Sequence, residues 1–491
     1  MTIKIYDETD PLSIELYSQN LVGKTFADII NEGFNQQLIN EESVDYITSH
    51  KNEKRKGSLG QLIEECFFHY KCNNDSKPDF DKAGVELKVT PYKINKNKSF
   101  SAKERLIITM IDYNNVINEN FYESHLFTKS NLILLVYYLY DKDITNRLNY
   151  RINYCKLFSP PKEDLEIIKS DYEFIINKIK AGKAHELSES DTLYLGAATK
   201  SANSSKFRLQ PCSNIPAKPR AFSFKSSYMT YILNNYIIPN KNTYEPIIKD
   251  LHVLSGTTFK KYIVSKINSY IGKSDKYLCE LFEREYNNNK SQWCDLTYRM
   301  LGIKSNQAEE FIKANIVVKA IRVEENGTIR ESMSFPAFKF KDLIMEEWES
   351  SDFFNYFNET TFLFVIFKKC GEYYTLKGSQ IWNMPYEDLN ITAYSGWLAI
   401  RNTIKNGVVF NLKRTKSGQT VLNNLPKKSD NPILHIRPHA KKSAYKLSNG
   451  FIIGNIKRDA NELPDGQWMT TQSFWINNSY ILCQLNSNIL K

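Results

Sequence analysis

Residues 78–88 read PDFDKAGVELK and hold three side chains able to do chemistry together: Asp79, Glu86 and Lys88. In an extended strand, residues i and i+2 share a face. Glu86 and Lys88 therefore project together, while Val85 and Leu87 turn to the core. Gly84 permits a turn just before that strand, which brings Asp79 back alongside. Two carboxylates on one face can hold Mg2+, a hard cation that takes oxygen ligands and usually keeps several waters. Such a metal lowers the pKa of a bound water and neutralises charge on a phosphate oxygen. Lys88 can orient or help deprotonate the attacking water, or stabilise a pentavalent oxyanion. That is the logic of metal-dependent phosphodiester hydrolysis. The same residues also suit the polar edge of an ordinary strand, because short patterns of this kind recur by chance.

The elements that must position these groups follow from hydrophobic spacing. LVGKTFADIINEGF has apolar residues at helical intervals, and GSLGQLIEECFFHY (57–70) predicts a helix with Leu62, Ile63, Cys66 and Phe67 on one side. AGVELKVTPYK, ERLIITMIDY and NLILLVYYLY read as strands. KEDLEIIKSDYEFIINKIK is an amphipathic helix that breaks near Gly182. TLYLGAATKSANSSKFR then predicts a strand running into a polar, basic loop, and KPRAFSFKSSYMTYILNNYI a strand followed by a helix. Residues 236–300 read as mostly helical.

The chain has 491 residues, enough for two or three domains with real cores. Lys and Arg outnumber Asp and Glu by 65 to 55, a moderate excess that suits a polyanion such as DNA without requiring one. Eight cysteines without a CxxC pair read as reduced thiols of a cytosolic protein, neither a disulfide framework nor a zinc site. The first residues carry acids and no apolar signal segment, and the run at 131–140 is too short to span a bilayer. There is no glycine-rich phosphate loop and hence no case for ATP. The histidines show no metal-ligand spacing.

The second half repeats the first in five ordered pairings. DFDKAGVELK (79–88) aligns with EFIKANIVVK (310–319), KERLIITMI with RESMSFPAF, and SHLFTKSNLILLVYY with FNETTFLFVIFKK. YLGAATKSAN aligns with LHIRPHAKKS, and AFSFKSSYMTYIL with WMTTQSFWINNSYIL. Short strands look alike, but five pairings in one order indicate a tandem duplication. The expected domains are 1–240 and 241–491, the second opening with a helical connector. In the second copy Asp79 meets Glu310, Lys88 meets Lys319, and Glu86 meets Val317, which cannot bind a metal.

GSLGQLIE followed by PDFDKAGVELKVTP resembles the PD-(D/E)xK nucleases, and within them the MutH family. GKAHELS, KPRAFSFKSSYMT, HIRPHA and WMTTQSFWINN extend the resemblance over essentially the whole chain to the GATC-cutting type II restriction endonucleases of the MutH/Sau type. The resemblance implies an α/β fold of two tandem MutH-like (restriction-endonuclease-like) domains, each a mixed sheet flanked by helices, with the second copy degenerate. It implies a Mg2+-dependent enzyme that cuts double-stranded DNA before the G of GATC, leaving a 5′ overhang. Glu64 matches the acid ending GxxGQLxE, Asp79 and Glu86 the metal-binding acids, and Lys88 the catalytic lysine. Glu104 resembles a further site residue, and Lys129 a lysine near the scissile phosphate.

The family reads its site with a basic loop after a strand, which here is residues 199–208. Lys200 is the candidate base contact, since lysine donates to guanine O6 and N7, with Ser201 and Asn203 beside it. Lys206, Arg208, Arg220 and Lys225 are candidate phosphate contacts, although any of them could be a solvated surface charge. The second copy keeps Arg437, His439, Lys441 and Lys442 at the matching loop. It is expected to bind a second DNA site or to regulate, or else only to buttress the first copy. A cytoplasmic enzyme follows, with DNA-induced pairing of free monomers and a cognate DNA methyltransferase as functional partner. The alternatives are a nicking endonuclease of mismatch-repair type and a non-catalytic DNA-binding regulator.

Overall fold

Runs of branched and aromatic residues become the central strands, and the glycine and polar stretches between them become turns. The computed structural model describes residues 6–35, 58–70, 77–95, 97–200, 206–238, 243–415 and 418–490. The chain forms two units: Met1–Phe259 with Gln307–Ile316, and Lys260–Asn306 with Val317–Lys491. It therefore passes between units three times, where the sequence reading drew one boundary at 240/241.

The first unit begins with helices α1 (Pro11–Ser18), α2 (Phe26–Asn35) and α3 (Ser58–Leu62), the last running into a wider turn over Ile63–Phe67. Strands β1 (Glu86–Ile94), β2 (Phe100–Ala102) and β3 (Leu106–Met110) follow, then α4 (His125–Ser130), β4 (Ile133–Leu139), β5 (Ile152–Phe158) and α5 (Lys162–Lys180). After them come β6 (Leu195–Thr199), β7 (Arg208–Gln210), β8 (Ser213–Ala217), β9 (Arg220–Phe224) and α6 (Ser226–Ile232).

One mixed sheet has the order β2-β1-β4-β5. Strand β1 runs parallel to β4, with Glu86 opposite Ile133 and Pro91 opposite Tyr138. The apolar run in β4 is buried almost throughout, as parallel strands covered on both faces require. A second, antiparallel sheet has the order β3-β9-β6. Leu62, Ile63 and Phe67 pack in one core with Leu87, Leu134 and Val136, which fixes the α3 turn against β1 and β4.

The second unit opens with α7 (Phe259–Asn268), α8 (Asp275–Leu281) and α9 (Gln292–Met300). The chain then returns to the first unit as α10 (Glu309–Ala314), because two buried charges there find partners. Lys313 Nζ lies 2.6 Å from Asp164 and 2.7 Å from Glu309, and Glu310 accepts the backbone N–H groups of Ile247 and Ile248.

The second unit resumes with β10 (Ile316–Val323), β11 (Met333–Phe338), α11 (Asp352–Glu359), β12 (Thr361–Cys370), β13 (Tyr373–Trp382) and α12 (Tyr394–Asn406). Further on lie β14 (Phe410–Thr415), β15 (Gly418–Asn423), β16 (Leu434–Pro438) and, near the C-terminus, Gln472–Ile476. Its sheets include β10-β12-β13 and an antiparallel set in which Gln472–Ile476 lies between β11 and β16. The mixed α/β class expected from the sequence is the class observed. Among the described residues no helix is long and apolar enough to cross a membrane, and the cysteines are unpaired.

Candidate active site

The geometry at PDFDKAGVELK starts from a closed turn. Phe80 and Val85 exchange backbone hydrogen bonds of 2.9 and 3.2 Å, and Gly84 inside the loop takes φ +67°, a conformation that glycine adopts without strain. The loop folds Asp79 back against β1, where its Oδ2 accepts the Leu87 N–H at 2.8 Å. Glu86, at the start of β1, is 1% exposed. Lys88, two residues on, sends its Nζ to within 2.6 Å of Glu86 Oε1.

A third element supplies a second cation. Ser124 caps α4 by accepting the Phe127 N–H, and the last turn of this short helix carries Lys129. Its Nζ lies 3.4 and 3.3 Å from the two oxygens of Glu86. Glu64, half-buried in the turn after α3, interacts electrostatically with Asp79. Burial, and then the nearby Glu86 charge, push the Asp79 carboxyl up to about 6, against the opposing pull of Lys88 and the Leu87 N–H. Glu64, Asp79, Glu86, Lys88 and Lys129 are thus one electrostatic cluster, assembled from four separate elements over 66 positions of chain.

Among the described residues, no three His, Cys, Asp or Glu side chains are drawn close enough to form a metal cage by themselves. The oxygens of Glu86 face ammonium groups instead. Asp79 and Glu86 nevertheless offer hard oxygen donors, and their mutual repulsion is the electrostatic signature of a site that gains from a divalent cation.

Glu104, the further site residue that the resemblance implies, is exposed and is placed by its neighbours along β1. The adjacent Lys103 N–H bonds to the Pro91 carbonyl at 3.0 Å, and Glu104 acts on Tyr138, the cross-strand partner of Pro91. Pro91 lies five residues along β1 from Glu86, roughly 17 Å at strand rise. Exposed Glu104 therefore sits at the opposite end of the strand.

The expected recognition loop leaves β6. Lys200 is exposed, its backbone fixed by a 2.9 Å bond from its N–H to the Pro219 carbonyl. Ser201 and Asn203 lie outside the described residues. Lys206 and Arg208 are exposed. Arg220 and Lys225 are buried, and their head groups lie on backbone carbonyls. The Arg220 guanidinium is buried and donates to the carbonyls of Ala197, at 2.7 Å, and Leu187. Lys225 is buried and donates to the Thr192 carbonyl at 2.5 Å.

Asp171 of α5, which the sequence reading passed over, accepts the N–H groups of Leu193, Tyr194 and Leu195. Burial raises its carboxyl, with Lys225 and those N–H groups opposing. Arg220, Lys225 and Asp171 thus hold the backbone on which the loop is mounted. The reading also missed Phe207, Leu209 and Ile215, which are strongly exposed on or beside the β7–β8 hairpin and next to Lys206 and Arg208. Large apolar side chains among polar and basic ones were the available signal.

In the second unit, Val317 packs partly buried against the core. Lys319 has burial pulling its pKa down, with only Cys294 opposing. Glu310, aligned with Asp79 in the sequence, is instead a buried side chain of the first unit. Strand β10, IVVKAIRV, thus carries Lys319 and no acidic residue of its own. Arg437, His439 and Lys441 are all exposed, Arg437 lying over the Trp475 ring at 5.0 Å.

A family model described as the DNA mismatch repair enzyme MutH matches residues 68–171. The chain is similar to the type II restriction enzyme Sau3AI of Staphylococcus aureus, 39% identical over 462 residues, covering 88% of this chain and 93% of that protein. It is also similar to the DNA mismatch repair protein MutH of Vibrio campbellii, 27% identical over 45% of this chain and 92% of that protein. A MutH from a Shewanella species is 30% identical over 38% of this chain and 83% of that protein.

Proposed function

The chain belongs to the MutH-like family of the type II restriction enzyme Sau3AI, and from that premise we propose that it is a site-specific deoxyribonuclease that hydrolyses double-stranded DNA before the G of GATC with Mg2+. The observation that carries this reading is the convergence of Asp79, Glu86, Lys88 and Lys129 at the start of β1. Asp79 and Glu86 would hold the cation, with Glu64 beside them. When bound, the cation supplies Lewis-acid stabilisation of phosphate charge and a more acidic water.

The residues of the chain do the rest. Lys88 and Lys129 concentrate positive charge beside the carboxylates, where it opposes the charge gained by a phosphate under attack. Lys88, half-buried beside Glu86, orients the attacking water. Glu86 holds both ammonium groups in place, and the Leu87 N–H fixes the rotamer of Asp79. Lys200, Lys206 and Arg208 supply the DNA contacts at the loop.

The second unit reads as an inactive copy. Its β10-β12-β13 sheet and its sheet with Gln472–Ile476 between β11 and β16 can be laid on β1-β4-β5 and β3-β9-β6 in strand order, and Val317 stands where the alignment puts Glu86. Its exposed Arg437, His439 and Lys441 fit a second DNA site. With one such charge cluster among the described residues, a double-strand cut takes either two chains paired on DNA from free monomers or two successive nicks. A cytoplasmic location and a cognate DNA methyltransferase that protects host sites complete the reading. The single cluster also favours a second reading, a GATC nicking enzyme of mismatch-repair type.

Incubation with a plasmid bearing several GATC sites, in Mg2+ or Ca2+ and alongside Glu86→Ala, tests the proposal. Fragments ending at GATC in Mg2+ alone, lost in the variant, are expected. Nicked circles only would select the second reading, and binding without any cleavage would refute both.

A further inference from the structure

The positive charge of the chain is not spread along it. Residues 389–458 hold 13 of the 65 Lys and Arg but only one of the 55 Asp and Glu, namely Asp430. That segment carries +12 against +10 for the whole chain; the remainder, with 52 basic and 54 acidic residues, is slightly negative. Among the described residues of the segment, only Arg401 and Arg458 lie within ion-pair distance of a carboxylate. The basic excess that a polyanion partner would meet therefore lies in one stretch of the second unit's sequence.

Within it stands an antiparallel ribbon, β14–β15, with Phe410 opposite Asn423 and Thr415 opposite Gly418. The ribbon follows α12 and precedes β16. The first unit has no ribbon between α5 and β6, only two short helical turns at Ala184–Glu186 and Glu189–Asp191. The root is anchored, since Phe410 and Val421 pack on the core and the Phe410 ring meets Tyr445. Beyond the root the ribbon is open on both sides: Asn411, Leu412, Lys413, Arg414, Gln419 and Thr420 are all exposed.

We propose that the β14–β15 ribbon is a duplex-DNA-binding element of the second unit, which enters a groove and places Lys413 and Arg414 against the two phosphate walls. Consecutive strand residues point to opposite faces, so Arg414, paired with Gln419, and Lys413, paired with Thr420, present one cation on each face. A two-stranded ribbon fits the width of the major groove. The inference rests on the DNA-cleaving reading above and adds to it the element by which the second unit holds DNA.

The test uses the full chain in Ca2+ with a fluorescent 30-base-pair GATC duplex, with affinity measured across a salt series. Lys413→Gln/Arg414→Gln is compared with wild type and with Lys276→Gln/Lys290→Gln, which removes the same charge from exposed sites outside the segment. Loss of two phosphate contacts should flatten the slope of log affinity against log salt by about 2. The ribbon variant should melt as wild type does, because its side chains are exposed, and the control should keep the wild-type slope. An unchanged slope in the ribbon variant, or an equal flattening in the control, overturns the proposal. So does binding of wild type to single-stranded RNA or anionic vesicles as tight as to the duplex. Plasmid cleavage by wild type is scored separately, so the ribbon can fail while the nuclease reading stands.

Discussion

Asp79→Asn should stabilise the first unit while abolishing cleavage. Burial and the Glu86 charge lift the Asp79 carboxyl from 3.8 to about 6. The folded chain therefore binds this proton more tightly than the unfolded chain. Between about pH 4 and pH 6 the folded state holds more protons, so stability falls as pH rises through that window, and the full cost persists above it. A shift of this size corresponds to about 3 kcal/mol, and partial solvent access at Asp79 reduces it to about 1–2 kcal/mol. Asparagine keeps an acceptor for the Leu87 N–H and removes the charge.

All six tryptophans lie in the second unit, so their fluorescence follows that unit, while circular dichroism follows both. In EDTA at pH 8, the variant should raise the dichroism transition of the first unit by about 2–6 °C and leave the tryptophan transition in place. At pH 4 the gain should vanish. Adding Mg2+ should narrow the difference at pH 8, because a ligand that binds only the folded wild type stabilises it. No gain at pH 8, or a gain of the same size at pH 4, would refute the electrostatic account of this cluster.

Glu104→Gln should leave cleavage of a one-site plasmid within about twofold of wild type, since the residue sits at the far end of β1; a loss of roughly 100-fold, typical of a lost transition-state contact, would restore it to the site. Arg220→Ala should destabilise the first unit by about 1–3 kcal/mol by stranding the Ala197 and Leu187 carbonyls, as read by chemical denaturation. Arg208→Ala should barely change stability but should reduce the salt slope of DNA binding by about 1. Lys313→Met leaves the buried Asp164 carboxylate uncompensated and should cost about 3–5 kcal/mol; adding Asp164→Asn should recover part of that loss in the same denaturation experiment.

What the sequence determined by itself was local. The two-residue period placed Glu86 and Lys88 on one face, Gly84 marked the turn that returns Asp79, and an unbroken apolar run marked β4 as a covered central strand. The charge bias of residues 389–458 is written in the chain as well. Tertiary structure decided which charges meet. Lys129 reaches Glu86 from 43 positions away only because β4 lies parallel to β1 and α4 precedes it. Glu104, much nearer in sequence, is carried away by the length of the strand. Arg220 and Lys225 looked like DNA contacts because a basic residue in a basic stretch carries no mark of burial. Their heads went inward because carbonyls near β6 needed donors. Glu310 matched Asp79 in an ungapped alignment, yet two free N–H groups in the first unit captured it. A side chain's type and spacing limit what it can do, but its partner is chosen by whichever unsatisfied group the fold brings within reach.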